Sequence, residues 1–173
     1  MQKSPFRFLY ISLIILILDQ VTKYLARLYS PYEVSIIGEF FKLHHVQNSG
    51  AAFSISFGSD LFNRIFFSSV TFIMIFVILY MLKKSKAFLE KLAFSFIIAG
   101  AVGNLIDRVW LGSVTDFLDF DFFTIDIPKW NFYMDRWPIF NIADSSIVVA
   151  IVLLFIYIIF LEKYTQEEEK NDK

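Results

Sequence analysis

The sequence predicts an α-helical integral membrane protein with four transmembrane helices. A small extracytoplasmic β-sheet and a loop with a short helix are expected to lie over a site near the outer surface. Three observations carry this expectation. Apolar residues make up 57% of the 173 positions, with 22 Phe, and the mean hydropathy is +0.58. Only 19% of residues are charged, where a soluble domain has about a quarter. The apolar residues fall into four long runs, and the polar residues that interrupt them gather at one end.

The runs are near 8–28, 65–82, 87–106 and 139–161, each close to the roughly 20 residues that a bilayer core requires. They form a single membrane domain covering 1–173. Lys3 and Arg7 precede the apolar stretch Phe8–Leu18. No small-x-small cleavage site follows, and the helical pattern continues through Tyr24, so a retained signal anchor is expected rather than a removed leader.

Lys83, Lys84, Lys86 and Lys91 crowd the short loop 83–91, which the positive-inside rule makes cytoplasmic. Segments 30–63 and 107–138 then lie outside, and both termini inside. "EVSIIGEFFKLHHVQ" is rich in β-branched and aromatic residues, broken by Gly38, and reads as a short sheet at the membrane surface. The segment 117–138 interleaves Trp, Phe and Tyr with acids, and such aromatics settle at headgroup level. The tail 162–173 is charged, mixed in sign and predicted to be disordered.

The absence of cysteine excludes disulfides, Cys-ligated zinc and a Cys nucleophile. His44 and His45 are the only histidines. On a strand they point to opposite faces, so they read as boundary residues rather than metal ligands. No metal or other cofactor is implied. The net charge of −1 gives no sign of a nucleic-acid partner.

Asp19, Lys23 and Arg27 are spaced four apart on one face of the first span. Asp19 is about eleven residues in, roughly 17 Å of helix, which puts it in the outer half. The third span ends with Asn104, Asp107 and Arg108, and the fourth begins with Asn141, Asp144 and Ser145. Asn-x-x-Asp thus occurs at the facing ends of two consecutive spans, with Asp116 shortly after the third. Ionisable groups at such depth face the protein interior and mark function. The plainer reading is interhelical hydrogen bonding. It accounts for any one of these residues better than for the whole set at one depth.

Two neighbouring carboxylates cannot both ionise cheaply, so one keeps a proton and the pair serves as acid and base. Such chemistry needs no metal, Cys or His. The competing nucleophilic reading has Lys23 activating Ser49, Ser145 or Ser146, but a Lys23 paired with Asp19 stays protonated and is a poor base. "AGAVG" (99–103) permits close approach of a neighbouring helix, or of a substrate helix. Gly50 in "NSGAAFSIS" lets backbone approach a ligand.

The set "DQVTK" (19–23), "NSGAAF" (48–53), "GNLIDR" (103–108), "VTDF" (114–117) and "FNIADS" (140–145) resembles lipoprotein signal peptidase, the signal peptidase II family. The motifs run in the family's order and span nearly the whole chain. The resemblance implies a bacterial inner-membrane aspartic endopeptidase; a monomer is expected. Its partners would be membrane lipid and diacylglyceryl-modified prolipoproteins, cut just before the lipidated cysteine. It makes Asp116 and Asp144 the catalytic pair. Asp19, Lys23, Asn48, Gly50, Asn104, Arg108 and Asn141 match its other motif positions, as support for the pair or as substrate contacts.

Spacing alone does not choose Asp116 over Asp107; the resemblance does. Asp107 is expected to pair with Arg108 or a nearby donor and to fix the end of the third span. The Asp19–Lys23 pair is expected to prop the surroundings of the two acids and to brace the backbone of "NSGAAF". The stretch between Asp116 and Asp144 is longer and more aromatic than the family pattern. Against these readings stands a small proton-coupled transporter or channel. A relay of that kind distributes acids through the bilayer, whereas here the second span is uncharged and the acids cluster on one side. The Gly-x-Gly-Asp motif of presenilin-type proteases is absent.

Overall fold

The computed structural model describes residues 4–29, 33–50, 58–130 and 132–161. The tail 162–173, expected to be disordered, and residues 51–56 of the small-residue stretch lie outside these. Four helices are long and apolar enough to cross a membrane. Helix α1 (Leu9–Tyr29) follows a 3-10 turn at Pro5–Phe8. Helix α2 (Asp60–Lys84) starts five residues before the apolar run, because the Ser59 side chain caps it by accepting from Phe62 N at 3.3 Å.

Helix α3 (Phe88–Trp110) runs four residues past the expected end and so carries Asp107 and Arg108 within its last turns. Helix α4 (Ile142–Ile156) starts three residues late and continues into a π-helical turn, Tyr157–Leu161. The late start reflects Phe140, which bridges to a strand, and Asn141, which is the N-cap.

The burial pattern is inverted relative to a soluble bundle. Ile14, Ile17, Leu18, Ile73 and Phe76 are each more than half exposed, whereas Asp19 and Lys23 are fully buried. An apolar exterior is matched only by a solvent as apolar as itself. An apolar cluster of Ile78, Leu82, Phe94 and Ile98 closes the end near the Lys83–Lys91 turn.

Helix α3 packs against the other three helices, and small residues make this possible. A Cβ on Gly100 would meet Ala143 O, with Ile147 Cγ1 and Ser146 Oγ both 2.7 Å away. The small-residue stripe is therefore occupied by α4, as ordinary helix packing would have it. Ser12 Oγ donates to Ser95 O at 2.7 Å, tying α1 to α3 deeper in the bundle.

Outside the helices lies an antiparallel sheet in the order β1 (Val34–Ile37), β2 (Phe41–Asn48), β3 (Val114–Phe120). Gly38, at φ +49°, makes the β1–β2 turn. A bulge between Leu43 and Val46 contains both histidines. The segment beyond α3, expected as a loop with a short helix, is a loop that carries strands as well as a short 3-10 helix. Gly112, at φ +88°, turns the chain from α3 into β3. A separate hairpin of β4 (Ile125–Ile127) and β5 (Phe132–Met134) comes after it, with a 3-10 turn at Pro128–Trp130 between them. Val, Thr, Phe and Leu in "VTDFLDF" favour a strand once the edge of β2 offers pairing.

Candidate active site

Asp116 reaches the site on β3, and Asp144 reaches it in the first turn of α4. Asn141 holds both. As the N-cap of α4, its Oδ1 accepts from Asp144 N at 2.9 Å, while Asp144 Oδ2 accepts from Asn141 N at 3.1 Å. This reciprocal pair is a capping box, so the local rule that starts the helix also aims Asp144. The Asn141 side-chain amide then donates to Asp116 Oδ1 at 2.7 Å. The same amide lies 3.1 Å from Asn104 Oδ1 and 3.3 Å from Thr115 O.

Two further amides complete the surroundings. Asn48 Nδ2 donates to Asp116 Oδ2 at 3.1 Å, from a position on the adjacent strand β2. Asn104 Nδ2 donates to Asp144 Oδ1 at 2.8 Å. Among the described residues the carboxylate oxygens thus receive neutral N–H donors, and no ammonium or guanidinium touches them. Burial and the neighbouring charge of Asp144 push the Asp116 carboxyl up to about 6, against the lowering effect of Asn48 and Asn141.

The cation is one step away. Lys23 is fully buried, with Nζ 2.9 Å from Asp19 Oδ2 and 3.7 Å from Asp107 Oδ2. It also donates to Asn104 Oδ1 at 2.9 Å, which turns the Asn104 amide toward Asp144. Asp19 Oδ1 accepts from Ala143 N at 2.8 Å, satisfying a donor in the first turn of α4. The expected pair of Asp19 and Lys23 is therefore present, but it braces α4. Among the described residues of "NSGAAF", the backbone is held by other groups. Arg108 Nη2 donates to Gly50 O at 3.2 Å, and Gly50 N donates to Asn48 Oδ1 at 3.0 Å.

Asp107 does not pair with Arg108, because adjacent helical residues point about 100° apart. It accepts from Thr115 N at 2.9 Å and lies 3.9 Å from Arg27. It anchors the start of β3, one residue before Asp116, and is 1% exposed. The serine–lysine alternative is not built with Ser145 or Ser146. Lys23 is surrounded by acids and Asn104, while Ser145 and Ser146 donate to backbone carbonyls.

Gly103 gives Asp19 its space: a Cβ there would lie 2.5 Å from Asp19 Oδ2. Spacing along the chain gives no sign of Thr115, which takes a 2.9 Å bond from Arg27 Nη1. The aromatic segment 117–138, expected to lie over the site, does contribute to the cavity lining, through Phe122, Trp137 and Pro138.

Asp116 and Asp144 line one cavity of about 560 Å³, with Asn48, Asn104 and Arg108. The rest of the lining is mostly apolar and includes Phe122, Trp137, Ile139, Phe140 and, on α4, Val148. The described residues also bring together Glu33, His44 and Asp119, whose ligand atoms lie within 4.8 Å of one another. Both carboxylates already hold a cation: Lys42 lies 2.6 Å from Glu33, and Arg136 lies 2.8 Å from Asp119.

A family model described as signal peptidase (SPase) II matches residues 11–160. The chain belongs to the signal peptidase II family. It is 38% identical over 161 residues to the lipoprotein signal peptidase of Psychromonas ingrahamii, covering 89% of this chain and 86% of that one. The corresponding protein of Enterococcus faecalis is 40% identical over 161 residues, with 91% and 90% covered. Two solved structures of a bacterial membrane enzyme, determined by the in meso method, share the fold with TM-scores of 0.74. One is 31% identical and the match covers 96% of this chain and 92% of its own; for the other the values are 32%, 90% and 94%. A protease with four membrane helices and a small antiparallel sheet is thus the frame that holds the buried carboxylates.

Proposed function

We propose that this signal peptidase II family member removes the signal peptides of diacylglyceryl-modified prolipoproteins by aspartic-peptidase chemistry, cutting just before the lipidated cysteine. The observation that carries the aspartic assignment is the double role of Asn141. It orders the two carboxylates, Asp116 by its side chain and Asp144 through the capping box, on the wall of one cavity.

One carboxyl of the pair keeps a proton and donates a hydrogen bond to the scissile carbonyl. The other, ionised, takes a proton from water as its oxygen attacks the carbonyl carbon. The tetrahedral intermediate collapses as the C–N bond breaks, and the proton is delivered to the leaving amine. The shared proton belongs to the pair rather than to either residue. Amide donors on all sides leave the pair polarised but not neutralised. A contact cation would hold both groups ionised and remove the acid.

The lysines of residues 83–91 favour an orientation with both termini cytoplasmic and the two acids toward the extracytoplasmic face of the bacterial cytoplasmic membrane. A substrate anchored by its own acyl chains then arrives from the bilayer at the correct depth, which shortens the search for a reactive pose. The test is electrophoresis of a diacylglyceryl-modified prolipoprotein, with its unlipidated precursor alongside, after incubation with the purified protein. Loss of the signal peptide from the lipidated form is expected. Equal cutting of the unlipidated precursor would refute the lipid requirement, and no cutting of either would refute the function.

A further inference from the structure

The chain leaves the sheet after β3, forms the β4–β5 hairpin, and returns to α4 through the wall of the cavity. Among the described residues the hairpin's strands pair only with each other. One side chain closes the loop at its base. Arg136 Nε donates to Asp119 Oδ1 at 2.8 Å, and Nη1 donates to Glu39 O at 3.0 Å. Nη1 also lies 3.5 Å from Asp121 Oδ2. The guanidinium thus joins the β1–β2 turn, the end of β3 and the segment that returns to α4. Asp119 is 4% exposed, while the Arg136 side chain is a quarter exposed.

The wall begins at the residue after Arg136. Trp137 N donates to Phe120 O at 3.1 Å, and its ring meets the edges of Phe122 and Phe123. Phe140 pairs with Leu118 across an isolated bridge, one residue before Asn141. Phe122, Trp137, Pro138, Ile139 and Phe140 all line the same cavity as the two acids.

We infer that Arg136 is a positioning residue that latches the hairpin and thereby holds the Trp137–Phe140 wall against the apolar side chains of a bound peptide, setting which side chains fit beside the scissile bond. The inference rests on the peptidase reading for its substrate. The latch itself rests on the geometry alone. A planar fork meeting two carboxylates and a carbonyl is a task that lysine performs poorly.

Arg136→Ala, Arg136→Lys and Asp119→Asn are compared in a background where Trp110 and Trp130 are Phe, so that emission reports Trp137. Both Arg136→Ala and Asp119→Asn should shift the emission to longer wavelength. Arg136→Lys should fall between them and the parent, and it keeps the test available if the alanine variant does not fold. With a diacylglyceryl-modified prolipoprotein peptide, KM should rise about tenfold in Arg136→Ala while kcat stays within about twofold. Unchanged Trp137 emission in Arg136→Ala and Asp119→Asn, or a fall in kcat at unchanged KM, would overturn the latch. If the parent cleaves nothing, the peptidase reading fails, and the Trp137 emission alone decides the latch.

Discussion

Replacing Lys23 by Met removes the single ammonium found among the described residues inside the bundle and keeps most of the volume. In the native chain Nζ sits 2.9 Å from Asp19, 2.9 Å from Asn104 and 3.7 Å from Asp107, with Lys23 and Asp19 both fully buried. Asp107 retains Arg27 at 3.9 Å, but among the described residues Asp19 has no second cation. Stripping one partner from a buried pair costs about 3–5 kcal/mol, because the remaining charge is left uncompensated. The loss of the Lys23–Asn104 bond also frees the amide that orients Asp144. Stability should therefore fall by about 4 kcal/mol, and kcat should fall with it.

Asp19→Asn combined with Lys23→Met removes both charges, and the amide oxygen still accepts from Ala143 N. The double variant should recover at least about 2 kcal/mol of the loss. The assay is unfolding of purified protein in mixed micelles by rising sodium dodecyl sulfate, followed by circular dichroism. A Lys23→Met variant within about 1 kcal/mol of native, or a double variant no more stable than the single, would refute the reasoning.

The same packing makes other substitutions informative. Gly103→Ala puts a Cβ 2.5 Å from Asp19 Oδ2, and overpacking of this kind should destabilise by about 1–3 kcal/mol in the same unfolding assay. Asn141→Ala removes the cap of α4 and the donor to Asp116; helix stability should drop by about 1 kcal/mol, with a much larger loss in kcat than in KM measured by initial rates. Asp116 binds its proton more tightly when folded, since its pKa rises from 3.8 to about 6. Its contribution is full below about pH 4 and is lost as pH rises through about 6, a change of about 3 kcal/mol at roughly 1.4 kcal/mol per pH unit. Asp116→Asn should flatten that part of a stability–pH curve. The alkaline limb of kcat/KM should fall near pH 6 in the native chain, as the free enzyme's pair loses its shared proton.

The helices were legible because runs of apolar residues have one explanation in a bilayer. Their ends were less so. Asp107 and Arg108 look like residues beyond a span, yet α3 carries them because Asp107 has Thr115 N and Lys23 as partners that only the folded chain supplies. The clustering of Asp19, Lys23, Asn104, Asn141 and Asp144 at one depth was visible from helical spacing. Which acid joins Asp144 was not legible from spacing; the motif resemblance chose Asp116. Asp107 has the tidier spacing, and β3 delivers Asp116 instead through a turn at Gly112 and a strand register that sequence periodicity does not announce. That the aromatic 117–138 segment lies over the site was legible, but which of its side chains meet was not. Trp137 and Phe122 lie fifteen residues apart in sequence, and the Arg136 fork that brings them together depends on a backbone carbonyl in the β1–β2 turn.

The most direct measurement of the central claim is cleavage of a diacylglyceryl-modified prolipoprotein by Asp116→Asn, Asp144→Asn and Asp107→Asn in proteoliposomes, with folding of each checked by unfolding midpoint. Asp116→Asn and Asp144→Asn should fold and cut nothing. Asp107→Asn should be destabilised yet retain measurable cleavage. Cleavage by Asp116→Asn or Asp144→Asn at the native rate would contradict that claim.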